Sequence, residues 1–501
     1  MNLQLYAVCI GWRLLNALLI RTAFNPDEYW QSLEVAHRLA FGYGHLTWEW
    51  AAGLRGYAHP LLFAALYKAL ALLHLDSAWS VANAPRLLQA PLAACADVYV
   101  YSLTRELFGA AVARWALACQ VLSWFTFYCL VRTFSNSLEA ILTIAALYHW
   151  RAHAGCISHQ SGSRHHPGRH SSYWSGSHRK LALLLAALAV VVRPPSFLLW
   201  LFLGTHELLT TGDAACLLVH EVLPIGMIVL AVASSLDRCC YGRWLFVPWQ
   251  FFKFNIVQDG SAAYGSHSWH WNFTSGFPAI CATLLPFGLL GIYVSNRRQL
   301  AGLLLLSLLA YSLPAHKERR GWGRGAVVVA LGAQLLPALY LSLRHQRGTI
   351  SVMTYLADQA RLPAPLAVAF LMPCHATPLY SHIHRNVTLS FLDCSPPGWV
   401  AAVRCLNGGR QQACHADKVA ALVQEDLPAS SHAELLQQQS LHGTDMRNWP
   451  THVITFNNLG IGIVDYLARI GYHYHRSFPH ADVAVDDGGT SVDVYVKRIM
   501  V

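Results

Sequence analysis

The stretch Phe24-Asn25-Pro26-Asp27-Glu28-Tyr29-Trp30-Gln31 follows directly on an apolar block at residues 4–20, and its reading decides how the rest of the chain is understood. It sets two adjacent carboxylates beside what the preceding block marks as a membrane surface. An aromatic-rich run then closes in Thr47-Trp48-Glu49-Trp50. Carboxylates next to a bilayer are costly to desolvate and are rarely kept for packing. The placement points to chemistry at a lipid boundary.

Outward from that stretch the chain is apolar. Of its 501 residues 54% are hydrophobic and only 12% charged, and the mean hydropathy is +0.34. Soluble globular domains carry about a quarter charged residues. Apolar blocks lie at 4–20, 61–76, 86–105, 110–131, 137–150, 181–203, 214–234, 279–295, 300–314 and 325–343. Read as helices crossing a hydrocarbon core, they number about 10. The expected class is therefore a polytopic α-helical membrane protein. Residues 344–501 are too polar to cross, and strand-like runs at 367–372, 452–456 and 491–496 give them a mixed α/β character. The division expected is a transmembrane domain over 1–343, with polar loops at 21–58, 151–180 and 235–278, and a soluble α/β domain over 344–501.

The formal net charge of +10 raises the question of nucleic acid. Lys and Arg lie in short clusters between apolar blocks, however, as membrane-flanking residues do. No basic helix, RNP-like motif or finger spacing accompanies them, so nucleic acid is excluded as a partner. The 13 Cys show no paired metal-ligand spacing. Cys9, Cys95, Cys119 and Cys129 lie in apolar blocks and read as small hydrophobes, whereas Cys374, Cys394, Cys405 and Cys414 are able to pair in an oxidising lumen. Sequons at Asn272-Phe-Thr274 and Asn386-Val-Thr388 are compatible with luminal exposure and glycosylation. The first block runs straight into the carboxylate stretch and reads as a retained signal-anchor span. The tract 151–178, rich in Ser, Gly and His and containing His165-His166, reads as a flexible loop rather than a metal site, because its spacing is irregular and lacks acids.

The basic turn Asn296-Arg297-Arg298 is cytosolic by the positive-inside tendency, which places His316-Lys317-Glu318-Arg319-Arg320 in the lumen. Counting from a cytosolic N-terminus puts Asp27, loop 235–278 and His316 on one face. The same count puts 344–501 in the cytosol, against its sequon and cysteines, so one span is miscounted or missing.

Asp27 and Glu28 are neighbours, and in an extended loop their side chains point opposite ways. They do not form the facing pair of a retaining glycosidase. One of them can act as a single general base, which suffices when an acceptor hydroxyl attacks a sugar on a good leaving group. A phosphate leaving group needs cations rather than an acid, and His316, Lys317 and Arg319 supply a cluster of that kind. The competing reading makes Asp27-Glu28 the cap of a short amphipathic helix lying on the membrane (Leu33, Val35, Ala36, Leu39, Phe41), with His316–Arg320 as interfacial anchoring. Composition alone does not choose between them. Arg132 with Asn136 and Glu139 is a polar cluster between two spans, either a site wall or a tight turn. Arg193 before Pro194-Pro195 lines a cavity or marks a kink. Tyr29, Trp30, Trp48 and Trp50 suit a sugar or lipid and suit an interfacial belt equally well.

Taken together, these residues resemble glycosyltransferase family 22, endoplasmic-reticulum mannosyltransferases of the GT-C fold that use dolichyl-phosphate mannose. The resemblance is carried by Pro26-Asp27-Glu28, Gln31–Ala36, Phe41–Gly44, Thr47–Trp50, Pro60, Pro85-Arg86, Asp97, Arg132–Glu139, Arg193-Pro194 and His316–Arg319. Further stretches at 345–348, 351–355, 372–378, 380–384 and 449–456 are similar to the members that act on glycosylphosphatidylinositol (GPI) precursors.

The resemblance implies inverting transfer of a third, α1,2-linked mannose from dolichyl-phosphate mannose to a Man2-GlcN-phosphatidylinositol acceptor. The site would lie on the luminal face of a multi-pass ER protein and need no metal or other cofactor. It implies Asp27 as the catalytic carboxylate, with Glu28 orienting groups beside it. Tyr29, Gln31, Trp48, Glu49, Arg132, Asn136, Glu139, Arg193, His316, Lys317, Glu318 and Arg319 would contact substrate. The nearest alternative is an α1,2-mannosyltransferase of dolichol-linked N-glycan precursor assembly. A transporter would show inverted repeats, and none is visible.

Two departures from the family pattern stand out. Asn25 takes the place of a usual His. Arg319 is followed by Arg320-Gly321-Trp322-Gly323-Arg324-Gly325 and one span where the family has two, which accounts for the odd count.

Overall fold

The computed structural model describes residues 3–161, 169–210, 214–258, 270–295, 327–373, 375–391, 450–458, 461–482 and 489–497. Packing gathers the chain into two compact units. One comprises Met1–Leu19, Gly53–His59 and Arg86–Leu339, and the other Ile20–Ala52, Pro60–Pro85 and Tyr340–Val501. The division does not follow a single boundary at 343/344, because the segment holding Asp27 belongs with the C-terminal region.

The first unit is helical, with many large apolar side chains facing outward and several charged or polar ones buried. The helices Leu3–Leu19 and Ala78–Phe108 meet over Cys9, Ala94 and Val98, with Tyr6 donating its hydroxyl to the Pro91 carbonyl at 3.2 Å. Ala90, Ala93, Ala94 and Ala96 are fully buried on the second helix, small residues that let backbones approach closely. At this seam Arg13 forks onto Asp97 with two bonds of 2.7 Å, and neither side chain is exposed. The outward positions carry Leu3, Val8, Leu15 and Leu18 on the first helix and Val219, Met227, Ile228 and Val232 further on. Large apolar side chains facing out over buried charge fit lipid as the surrounding solvent.

Two described helices, Ala214–Tyr241 and Asn272–Gly291, are long and apolar enough to cross a membrane, and Leu3–Leu19, Ala58–Leu72 and Ala110–Leu122 are shorter apolar helices. Among the described residues two helices combine the required length and apolarity, so the expected count of ten is not confirmed. Part of the reason is visible at block 110–131, which splits at Ser123 into Ala110–Leu122 and Trp124–Cys129 because Ser123 adopts ψ 128°. A helix of 13 residues reaches about 20 Å, short of a hydrocarbon core of about 30 Å. Block 300–314 lies outside the described residues. The block expected to end at 234 instead continues as a helix to Tyr241, where Gly242 at φ 71° closes it. The acid inside that extension, Asp237, is buried and accepts the Tyr57 N–H at 2.8 Å. Much of the tract read as a loop over 151–180 is helical in backbone, within Ser135–Ser161 and Arg169–Val192. The residues that oppose helix, Gly162 and Pro167-Gly168, fall between the two.

The second unit contains a five-stranded mixed sheet. Its strands are β1 (Ala367–Leu371), β2 (Thr388–Phe391), β3 (His452–Phe456), β4 (Tyr472–Pro479) and β5 (Ser491–Lys497), in the order β2-β1-β3-β5-β4. β1 runs parallel to β2 and β3, while β5 is antiparallel to β3 and β4. Every residue of the central β3 is buried, as suits a strand covered on both faces. The three strands expected from sequence are present. The two not expected, β2 and β4, are the polar edge strands, whose pattern is weak. The helix Gly348–Gln359 approaches β4 closely at Gly348, where a Cβ would meet the His480 Cβ at 2.9 Å and the Phe478 carbonyl at 3.0 Å.

Candidate active site

Asp27 and Glu28 stand in the first turn of a helix rather than in an extended loop. Asn25 caps it: its side-chain oxygen accepts the Asp27 N–H at 3.0 Å and its carbonyl accepts the Glu28 N–H at 3.1 Å. Pro26 sits at the first helical position, where no N–H is needed. Acids in this turn also complement the partial positive charge of the helix N-terminus. The two carboxylates are separated by exposure rather than by strand alternation. Asp27 is exposed, whereas Glu28 is 1% exposed.

The next turn is a π-helix over Tyr29–Leu33, continued by the α-helix Glu34–Phe41. In an unbroken α-helix, seven residues bring a side chain back to within about 20° of its starting direction. Asp27 would then share a face with Glu34. The extra residue of a π-turn rotates the first turn by about 100°, so Asp27 is turned off that face.

The helix is not the membrane-surface element expected, because its polar positions are packed as well as its apolar ones. Leu33, Val35 and Ala36 are buried, and so are Glu34 and His37. Most of those polar groups are accommodated by one segment, residues 375–384. Trp30 donates its indole N–H to the Thr377 carbonyl at 3.1 Å and lies 4.6 Å from the His375 ring. Tyr29 meets His382 edge-on at 5.3 Å. Glu34 accepts four bonds: Oε1 from the Leu379 N–H (2.8 Å), the Ser381 N–H (3.2 Å) and the Ser381 hydroxyl (2.6 Å), and Oε2 from the Tyr380 N–H (3.0 Å). Burial, the largest effect, raises this carboxyl above its usual range, and the four donors partly offset that rise. His37 Nδ1 reaches the Tyr43 carbonyl at 3.2 Å and so must carry the proton. Its Nε2 then accepts from His384 Nδ1 at 3.1 Å, and His384 Nε2 faces Asp76 at 3.6 Å.

Burial lowers His37 to about 3, and it lowers His452 and His480 to about 4, each further disfavoured by a neighbouring histidine. The unfolded chain takes up protons on these rings near pH 6.5, so between there and pH 4 it binds more protons than the folded chain. Stability is therefore complete above about pH 6.5 and is lost as the pH falls. The unfolding temperature of the detergent-solubilised protein should drop steadily from pH 7 to 4.5. A flat profile over that range would contradict this account.

Trp48 and Glu49 open the short helix Trp48–Ala51. Trp48 is buried, Glu49 half-buried, and Trp50 donates its indole N–H to the Trp30 carbonyl at 3.3 Å. Gln31 is half-buried within the π-turn. Asp27, Glu28, Tyr29, Gln31, Trp48 and Glu49 thus all belong to the second unit.

Three of the other expected contacts come together in the first unit. Arg193 bonds to Asn136, and Glu139 accepts the hydroxyls of Ser196 at 2.8 Å and Thr143 at 3.1 Å. Arg193 is extended, as a residue before proline tends to be, and it separates the helix Arg169–Val192 from the turn Pro194–Ser196. Arg132 is fully buried, donates to the Tyr128 carbonyl at 2.9 Å and lies 4.2 Å above that ring.

His316, Lys317, Glu318 and Arg319 lie outside the described residues, as do Cys374, Cys394, Cys405 and Cys414. Among the sequons, Asn386 is exposed in the turn before β2, whereas Asn272 is half-buried at the start of a helical turn. Among the described residues, no three His, Cys, Asp or Glu side chains gather as a metal site would require. Glu34, His37 and the 375–384 segment were given no role from sequence. The available signal was an acid set inside the apolar run Leu33-Glu34-Val35-Ala36.

A family model described as the Alg9-like mannosyltransferase family matches residues 4–320. The chain is similar to "Mannosyltransferase APTG1" of Arabidopsis thaliana, with 38% identity over 98% of this chain and 92% of that protein. It is also similar to "GPI alpha-1,2-mannosyltransferase 3" of Homo sapiens, with 35% identity over 99% of this chain and 88% of that one. The protein of the same name from Danio rerio is 40% identical over 79% of this chain and 75% of its own. Among solved structures, ArnT from Cupriavidus metallidurans in the apo state aligns over 98% of this chain and 97% of its own, with 11% identity and a TM-score of 0.44. That likeness is too loose to assign a fold.

Proposed function

Because the chain belongs to the Alg9-like mannosyltransferase family, we propose that it is a membrane glycosyltransferase that adds an α1,2-linked mannose to a GPI precursor, with Asp27 as general base. Near-full-length similarity to proteins named GPI alpha-1,2-mannosyltransferase 3 supports the acceptor class. The site reading is carried by the contrast within one helical turn: Asp27 is exposed and Glu28 is buried beside it.

The donor is a mannose on a polyprenyl phosphate, dolichyl-phosphate mannose, and the acceptor is a GPI precursor bearing two mannoses. Asp27 takes the proton from the acceptor's 2-hydroxyl as its oxygen attacks the anomeric carbon from the face opposite the phosphate. The sugar–phosphate bond breaks, the phosphate keeps the electron pair, and the anomeric configuration inverts. The leaving group needs no proton, only positive charge nearby, a role that suits His316, Lys317 and Arg319. Glu28, Tyr29, Gln31, Trp48 and Glu49 support or line the Asp27 side. Arg132, Asn136, Glu139, Arg193 and Glu318 contribute to lipid or sugar binding. The setting is the luminal face of the ER membrane.

Complementation tests this reading. In cells lacking GPI mannosyltransferase 3, expression of this chain should restore GPI-anchored surface proteins and clear the accumulated two-mannose lipid. If the chain left that lipid in place but extended a truncated dolichol-linked oligosaccharide in cells deficient in N-glycan assembly, the acceptor class would change.

A further inference from the structure

We infer that Glu34 is a positioning residue for mannosyl transfer, fixing the rotation of the helix that carries Asp27 through its grip on the backbone of residues 379–381. The inference rests on Asp27 as the base.

Glu34 is wholly buried, yet it stands in an apolar run where a leucine would pack at less cost. All four of its contacts are donors to its two oxygens, three peptide N–H groups and one hydroxyl. Charge-assisted bonds of this kind are short, directional and stronger than neutral ones. Apolar packing resists separation but tolerates some rotation, whereas four directed bonds resist rotation as well. The neighbours on the same stripe, Trp30 and His37, bond to Thr377 and His384 of the same segment.

The geometry makes rotation matter. Asp27 lies seven residues from Glu34 on one continuous helix, about 10 Å along the axis, with its carboxylate about 6 Å off that axis. A 10° rotation then displaces the carboxylate by about 1 Å, enough to slow a well-oriented reaction by about 10²-fold. The residues 375–378 and 380–384 thereby gain a physical role as the bed of the catalytic helix.

The test compares Glu34→Gln, Ser381→Ala, Asp27→Asn and the double variant Glu34→Gln/Asp27→Asn as full-length proteins in microsomes, with rates normalised to folded protein. Glu34→Gln keeps the volume but turns an amide donor toward N–H donors. It should lower kcat by about 10- to 100-fold with KM for both lipids within about 2-fold. Ser381→Ala removes one bond of the four and should cost about 3- to 10-fold in kcat; it carries the comparison if Glu34→Gln does not accumulate. In the Asp27→Asn background, Glu34→Gln should add no further loss, since the group it positions is gone. Normal kcat per folded Glu34→Gln molecule, with only a lowered unfolding temperature, would overturn the inference and leave Asp27 untouched. So would a full multiplicative loss in the double variant. Full activity of Asp27→Asn would overturn the base assignment and this inference with it.

Discussion

Replacing Asp27 by Asn is expected to abolish rescue of GPI-anchored surface proteins in cells lacking the enzyme, while the protein accumulates normally. A general base contributes about 10²- to 10⁴-fold to such a transfer, and an amide cannot take the proton. The fold tolerates the change because Asp27 is exposed and Asn25, not Asp27, supplies the cap. Loss of the charge at the helix N-terminus costs about 0.3–1 kcal/mol. In microsomes the two-mannose lipid should accumulate at native protein levels. Full rescue by the variant would remove Asp27 from the mechanism.

The second large effect concerns folding. Asp97→Leu should strip the protein from the membrane fraction, because it leaves Arg13 as an unpaired charge at a site with no exposure. Removing one partner of a buried pair costs about 3–5 kcal/mol, whereas replacing both by apolar groups of similar volume is often neutral. Arg13→Met together with Asp97→Leu should therefore restore much of the protein that Asp97→Leu loses, measured as folded material in detergent. If the double variant is as depleted as the single one, the pair has a role beyond holding the two helices.

The sequence showed its large features through composition and period. Low charge and long apolar blocks gave a membrane protein, and alternating or wholly apolar runs gave β1, β3 and β5. The edge strand β4 was hidden because residues 473–476 are all exposed and only Tyr472 and Phe478 of the strand are buried. Helix ends were misjudged where tertiary bonds satisfy a polar residue: Asp237 reads as loop until the Tyr57 N–H is found. Asp27 drew notice in the sequence because an acid after a first apolar block needs a reason. Its support did not. The partners of Trp30, Glu34 and His37 lie about 345 residues away in sequence, and no local pattern announces a contact of that range.

The π-turn at Tyr29–Leu33 carries one further consequence, for how related chains are to be aligned. One residue fewer in that turn would not simply shorten the helix. It would leave the motif Pro26-Asp27-Glu28 intact on paper while swinging its first acid toward the protein interior. A single-residue gap at this point between two homologues would therefore separate chains that share every motif residue but not the direction in which the acid faces.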